Sequence, residues 1–187
     1  NKEKVAIIGQ SGSGKTTIMK LLIDLHDIDS GTILLDNVNI KKLDTTYLRS
    51  KINYVNQRTV LFNRSILDNM IYGTNKNKHQ VIDLLNKYDL MVLFNKLPNS
   101  IYTNAGVNGN NLSLGMQKIT MLIRGVLKDA LIYIFDEPLT SLDGKSRKKV
   151  VKMLIEELKD KTLIVITHDK EILPHMDKTL KMHEIKN

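Results

Sequence analysis

The sequence predicts an α/β fold: a mostly parallel sheet with helices on both faces and an inserted helical subdomain. Three observations predict it. Short apolar runs at 5–8, 52–55, 131–135 and 162–166 have the length and continuity of strands buried on both sides. Amphipathic runs at helical spacing alternate with them, the pattern of a layered α/β domain. Between 61 and 127 that alternation stops and only helical spacing remains. The 187 residues suffice for one domain with a core.

Taken in order, residues 5–8 are the first strand, followed by Gly9-Gln10-Ser11-Gly12-Ser13-Gly14-Lys15-Thr16. This matches G-x-x-x-x-G-K-[ST] without exception, in the strand–turn–helix setting the pattern requires. Glycines let backbone N–H groups turn inward as an anion-binding nest, and the helix opening near Lys15 adds the positive end of its dipole. Lys15 reaches the β- and γ-phosphates of a nucleoside triphosphate, and the Thr16 hydroxyl ligates Mg²⁺. The expected phosphate-binding set is Gly9, Gln10, Ser11, Gly12, Ser13, Gly14, Lys15, Thr16 and Thr17.

Runs 32–35 and 38–40 flank Asp36-Asn37 as a hairpin, and 47–50 is a short turn or helix. Strand 52–55 ends at Asn56-Gln57, where a parallel sheet binds ligands, although a glutamine taken alone is ordinarily a surface residue. Helical spacing covers 66–72, 79–88 and 90–96, and Pro98 stops the last run. The stretch 66–102 is expected to project as a separate helical lobe. Residues 104–111, rich in Asn and Gly, form a loop, and Ser113 caps a helix that runs to 127.

The strand at 131–135 ends in Asp136-Glu137-Pro138. Beside a phosphate loop, Asp136 is placed to hold Mg²⁺ and Glu137 to orient or activate a water for attack on the γ-phosphate. Without such a loop the pair would read as solvated acids at a strand end. A turn at 141–144 leads into a basic helix at 146–159, most simply a solvated face. Strand 162–166 ends at Thr167-His168, so His168 also reaches the ligand edge and can contact a γ-phosphate oxygen. A last strand is expected at 179–185. His26, His79, His175 and His183 show no partner pattern and receive no role.

Composition excludes several classes. The sequence holds no cysteine, hence no disulfide framework, which fits a reducing compartment. No apolar run approaches the roughly 20 residues of a membrane span, and no secretory leader pattern is present. The net charge of +8 is spread along the chain, and no specific nucleic-acid partner is expected. The chain opens on Asn1 and reaches its first strand at once, so it reads as a piece of a longer protein.

Together these motifs resemble, over nearly the whole length, the ATPase domain of ABC (ATP-binding cassette) transporters. Residues 9–16 look like Walker A, Gln57 like the Q-loop glutamine, and 112–116 like the signature motif. Residues 131–137 look like Walker B with the catalytic glutamate, 141–143 like the D-loop, and His168 like the switch histidine. Stretches 47–50, 54–57, 60–62 and 65–69 are most similar to the exporter branch, including peptide and lipid exporters.

The resemblance implies a P-loop NTPase fold and ATP as substrate. Mg²⁺ would be held by Thr16, Gln57 and Asp136, with catalysis by Glu137, His168 and Gln57. Two domains would pair head to tail, each ATP facing Ser113 and Gly115 of the other, with Asp143 in the D-loop. Transmembrane domains of a transporter would be driven from the cytoplasmic face of a membrane. Residues 1–60 and 128–187 would form the α/β core, and 61–127 the helical subdomain with the signature helix. A second ABC ATPase domain, same or different in sequence, is the implied partner.

Three departures stand out. Leu114 and Met116 replace a glycine and a glutamine of the usual signature, which points to reduced or asymmetric activity. Asn104 and Val107 stand where exporters usually carry glutamates. No aromatic precedes Gly9, so an adenine-stacking platform and most of the N-terminal β-subdomain are missing and ATP affinity is expected to be lowered. Alternatives are a regulatory cassette of a heterodimeric pair, or a soluble ABC-type ATPase acting on DNA or ribosomes. The latter normally carries a long coiled coil or a second cassette.

Overall fold

The computed structural model describes residues 2–10, 12–57 and 60–182. Strand β1 (Lys4–Gly9) leads through the glycine-rich loop into helix α1 (Lys15–Leu22). A small hairpin joins β2 (Leu34–Leu35) and β3 (Val38–Asn39). Its turn residues Asp36 and Asn37 have φ of 48° and 65°, the left-handed pair a two-residue hairpin needs. Then come α2 (Thr45–Lys51) and β4 (Ile52–Val55). The inserted segment holds α3 (Ile66–Ile71), α4 (Lys78–Lys87), α5 (Met91–Phe94) and a 3-10 turn at Ser100–Tyr102. The chain returns through α6 (Leu114–Leu127), β5 (Ile132–Asp136), α7 (Gly144–Glu157), β6 (Thr162–Ile166) and β7 (Lys178–Met182).

Strands β1, β4, β5, β6 and β7 form one parallel sheet in the order β4-β5-β6-β1-β7. Alternating side chains bury both faces. Ile7, Ile52, Ile134 and Ile166 meet Met19, Ile23, Ile40 and Leu48 on one face. Tyr133, Phe135, Leu163 and Val165 meet Ile119, Ile123, Val150 and Leu154 of α6 and α7 on the other. Residues 66–102 are helical as expected. Their apolar faces, through Ile66, Met70, Val81 and Phe94, extend that second cluster rather than closing a core of their own.

Helix α6 reaches the sheet at Gly125, where an added Cβ would stand 2.6 Å from Val55 Cγ2 and 3.0 Å from Phe135 Cε1. Asn53 Nδ2 donates to the Gly125 carbonyl at 2.8 Å and fixes the crossing. Boundaries differ from expectation in small ways. The strand expected at 131–135 begins at Ile132 and includes Asp136. The last strand begins at Lys178 and is described to Met182, while positions 183–185 lie outside the described residues.

Candidate active site

A parallel sheet places the carboxyl ends of its strands on one edge. The loop after β1, Gln57 after β4, Asp136 and Glu137 at the end of β5, and His168 after β6 therefore meet. They line one cleft of about 540 Å³ together with Thr17 and Thr140. The sequence scatters these residues over 9–168, and the topology brings them together.

Helices α2, α3, α4, α6 and α7 begin on Asp44, Ser65, Asn77, Ser113 and Asp143, whose side chains accept first-turn N–H groups. Helix α1 instead begins at Gly14, left-handed at φ 84°, with no side-chain cap. Its first-turn N–H groups are left to the cleft, as anion binding at a helix N-terminus requires. Lys15 is 8% exposed, and its ammonium donates to the Gly9 and Gln10 carbonyls, both at 2.7 Å, and to Ser13 Oγ at 3.3 Å. Those bonds hold a full positive charge at the centre of the loop. Ser11 lies outside the described residues.

The Thr16 hydroxyl donates to Asp136 Oδ2 at 3.0 Å. The Tyr54 hydroxyl donates to the same oxygen at 3.2 Å. Burial, then the Asp136 charge, pushes the Tyr54 hydroxyl above its usual range, so it stays a donor. Thr16 and Asp136 are hard oxygen donors on the cleft that Gln57 also lines, which suits Mg²⁺. Among the described residues, no group of three or more His, Cys, Asp or Glu side chains forms a protein-only metal cage.

Glu137 has a left-handed φ of 49°, a conformation worth about 1–3 kcal/mol of strain for a residue with a side chain. Its N–H donates to the Ile166 carbonyl at 2.9 Å. Its own carbonyl accepts from Thr140 Oγ1 at 2.8 Å and from Lys118 Nζ at 3.2 Å. The carboxylate lies 3.6 Å from His168 Nε2. Burial raises the Glu137 carboxyl above the usual glutamate range, against the opposite pull of His168. A carboxylate whose pKa is raised is a better proton acceptor than an ordinary one.

Ser113, Gly115 and Asp143 lie elsewhere. They line a separate depression of about 190 Å³ with Met116, Ser141 and Ser146. The Ser113 hydroxyl accepts from the Met116 N–H at 3.3 Å, and Leu114 is 67% exposed. Asp143 accepts from the N–H groups of Lys145 and Ser146 and from Ser146 Oγ, and the Ser146 bonds hold its carboxyl below the usual range.

Tyr54, Thr140 and Lys118 are participants that sequence reasoning passed over. Tyr54 had a signal, since it precedes the strand-end residues and alternation turns it toward the site face. Thr140 follows the acidic pair by three residues, the spacing of a turn. Lys118 had only its charge in an otherwise apolar helical run.

The family model for ABC transporters matches residues 1–140. The chain belongs to the ABC transporter family. This ABC ATPase domain is 40% identical over 181 residues to the ABC transporter ATM1 of Plasmodium falciparum, covering 96% of this chain and 17% of that protein. It is 36% identical over 179 residues to an ATP-dependent lipid A-core flippase of Vibrio parahaemolyticus, covering 94% and 31%. A solved bacterial Atm1-family ABC exporter with ATP bound superposes with a TM-score of 0.89 at 28% identity, covering 99% of this chain and 33% of the other. The chain thus spans a third or less of the length of these relatives. Its sequence and fold are thus like those of the ATPase part of exporter-type ABC proteins. None of the described helices is long and apolar enough to cross a membrane.

Proposed function

We propose that this domain binds ATP on residues 9–17, hydrolyses it, and serves as the motor of a membrane exporter on its cytoplasmic face. Residues 1–60 and 128–187 form the catalytic core, and 61–127 the helical subdomain that faces the transmembrane domains. The observation that carries the reading is the convergence of Lys15, Thr16, Gln57, Asp136, Glu137 and His168 on one cleft.

Lys15 and the first-turn N–H groups of α1 bind the phosphates. Mg²⁺, on Thr16, Asp136 and Gln57, would neutralise charge on the phosphate oxygens. Glu137 orients the attacking water and accepts its proton, and His168 contacts the γ-phosphate and steadies the Glu137 carboxylate. Ser113 and Gly115 lie outside the domain's own cleft, which supports their facing the nucleotide of a second cassette, with Asp143 shaping the adjoining turn. Closure of that pair would drive the transmembrane domains.

Steady-state hydrolysis by the full-length protein tests the reading, with Glu137→Gln alongside. Turnover in the natural chain, its loss in the variant, and an ATP-retaining dimer of the variant are expected. Equal turnover in both overturns it. A second reading, a weakly hydrolysing regulatory cassette, draws on Leu114 and Met116 in the signature, and the same measurement separates the two.

A further inference from the structure

Lys118 is 7% exposed in the second turn of α6, and no step of the proposed hydrolysis uses it. Burial lowers its ammonium below the usual lysine range, against the pull of Asp136 and Glu137. A buried lysine is expensive unless its donors are occupied. Here the ammonium crosses from α6 and donates to the Glu137 carbonyl at 3.2 Å. One turn nearer the helix N-terminus the same two segments touch again, since a Cβ on Gly115 would stand 3.3 Å from the Ser141 carbonyl oxygen.

Three hydrogen bonds hold the Glu137 backbone at its positive φ, and that backbone sets the direction of its carboxylate. Two come from β6 and from the turn that follows β5. The third comes from α6, whose N-terminal turn carries Ser113 and Gly115. Lys118 stands five positions after the N-cap Ser113, a rise of about 7.5 Å. A shift at that N-terminus therefore moves the Lys118 ammonium with it.

We infer that Lys118 is a positioning residue that ties the Glu137 backbone to the α6 N-terminus, so that nucleotide on Ser113 and Gly115 bears on the aim of the same domain's Glu137. The inference rests on the hydrolytic reading above. It concerns the donor, which separates two replacements. Lys118→Met keeps much of the length and has no donor. Lys118→Gln is neutral but keeps an N–H₂ that can reach a carbonyl.

In the full-length protein, Lys118→Met should lower kcat about tenfold while KM for ATP stays within about twofold, because the phosphate loop is untouched. Lys118→Gln should recover most of that loss. Combined with Ser113→Ala, the Lys118→Met loss should fall short of multiplying, as expected of two residues on one path. Unchanged kcat in Lys118→Met beside an inactive Glu137→Gln overturns the inference alone. So do equal losses in the Met and Gln variants, whether or not melting temperature falls with them, and so do losses that multiply. Full turnover in Glu137→Gln overturns the hydrolytic reading, and this inference with it.

Discussion

Lys15 carries its charge on a short leash of loop carbonyls, at the point where a triphosphate would enter. Lys15→Ala removes that charge, and charge-assisted hydrogen bonds are each worth about 1.5–3 kcal/mol. Affinity for ATP should fall about a hundredfold in calorimetry; unchanged affinity would move the phosphate site elsewhere. Glu137 makes a pH prediction. Its pKa is raised in the folded chain, so kcat should fall as pH drops through that raised value, above the ordinary glutamate range. The stability sign is the reverse. A raised carboxyl pKa stabilises the fold at low pH, and the contribution is lost as pH rises through the folded pKa. Glu137→Gln should therefore melt no lower than the natural chain at pH 7, with the gap closing as pH falls. A variant clearly less stable at pH 7 would show that the carboxylate is better satisfied than its burial implies. Lys15, Thr16 and Asp136 were legible in the sequence because fixed spacing and strand-end position tie letter to place. Lys118 was not, since one lysine in a helix reads alike whether it points to water or to a backbone carbonyl.

Element by element, the apolar runs and helical spacings were legible because burial on two faces demands them. Ends were less so, since they depend on single contacts. Asp136 extends β5 by one residue through its pairing with Ile166. The hairpin shrinks to two pairs because Ile40 leaves the second strand for a 3-10 turn at Ile40–Lys42. Helix α6 began where Ser113 announced it, and what the sequence withheld was the direction of its first side chain. Leu114 is 67% exposed, away from the core, so replacing it costs no internal packing. Its bulk stands on the surface proposed to meet a second cassette, where the backbone must approach phosphate closely. Leu114→Gly in the full-length assembly should raise ATPase activity several-fold, on the order of 1 kcal/mol in the barrier. Flat or falling turnover would mean that the partner accommodates the leucine, and the case for an unlike partner would lose its main support.

At the scale of the whole molecule, the site and the core are one construction. Strand side chains alternate into two apolar clusters, and those clusters hold the strand ends that line the cleft. A ligand in that cleft bridges β1, β4, β5 and β6 at once, so binding must stabilise the folded chain globally. A ligand that binds only the native state adds about 2.7 kcal/mol at a concentration of 100 Kd. For a chain of this size each kcal/mol is worth about 2–4 °C in Tm. Mg²⁺ with ATP near that concentration should therefore raise the melting temperature by about 5–10 °C. Lys15→Ala should lose the shift, while Glu137→Gln should keep it, since the carboxylate is assigned to the water and not to the phosphates. The Glu137→Gln shift should also grow with protein concentration, because a pair closed on unhydrolysed ATP gains stability by mass action. An undiminished shift in Lys15→Ala would place the nucleotide on another part of the molecule. A Glu137→Gln shift independent of protein concentration would count against head-to-tail pairing through Ser113 and Gly115.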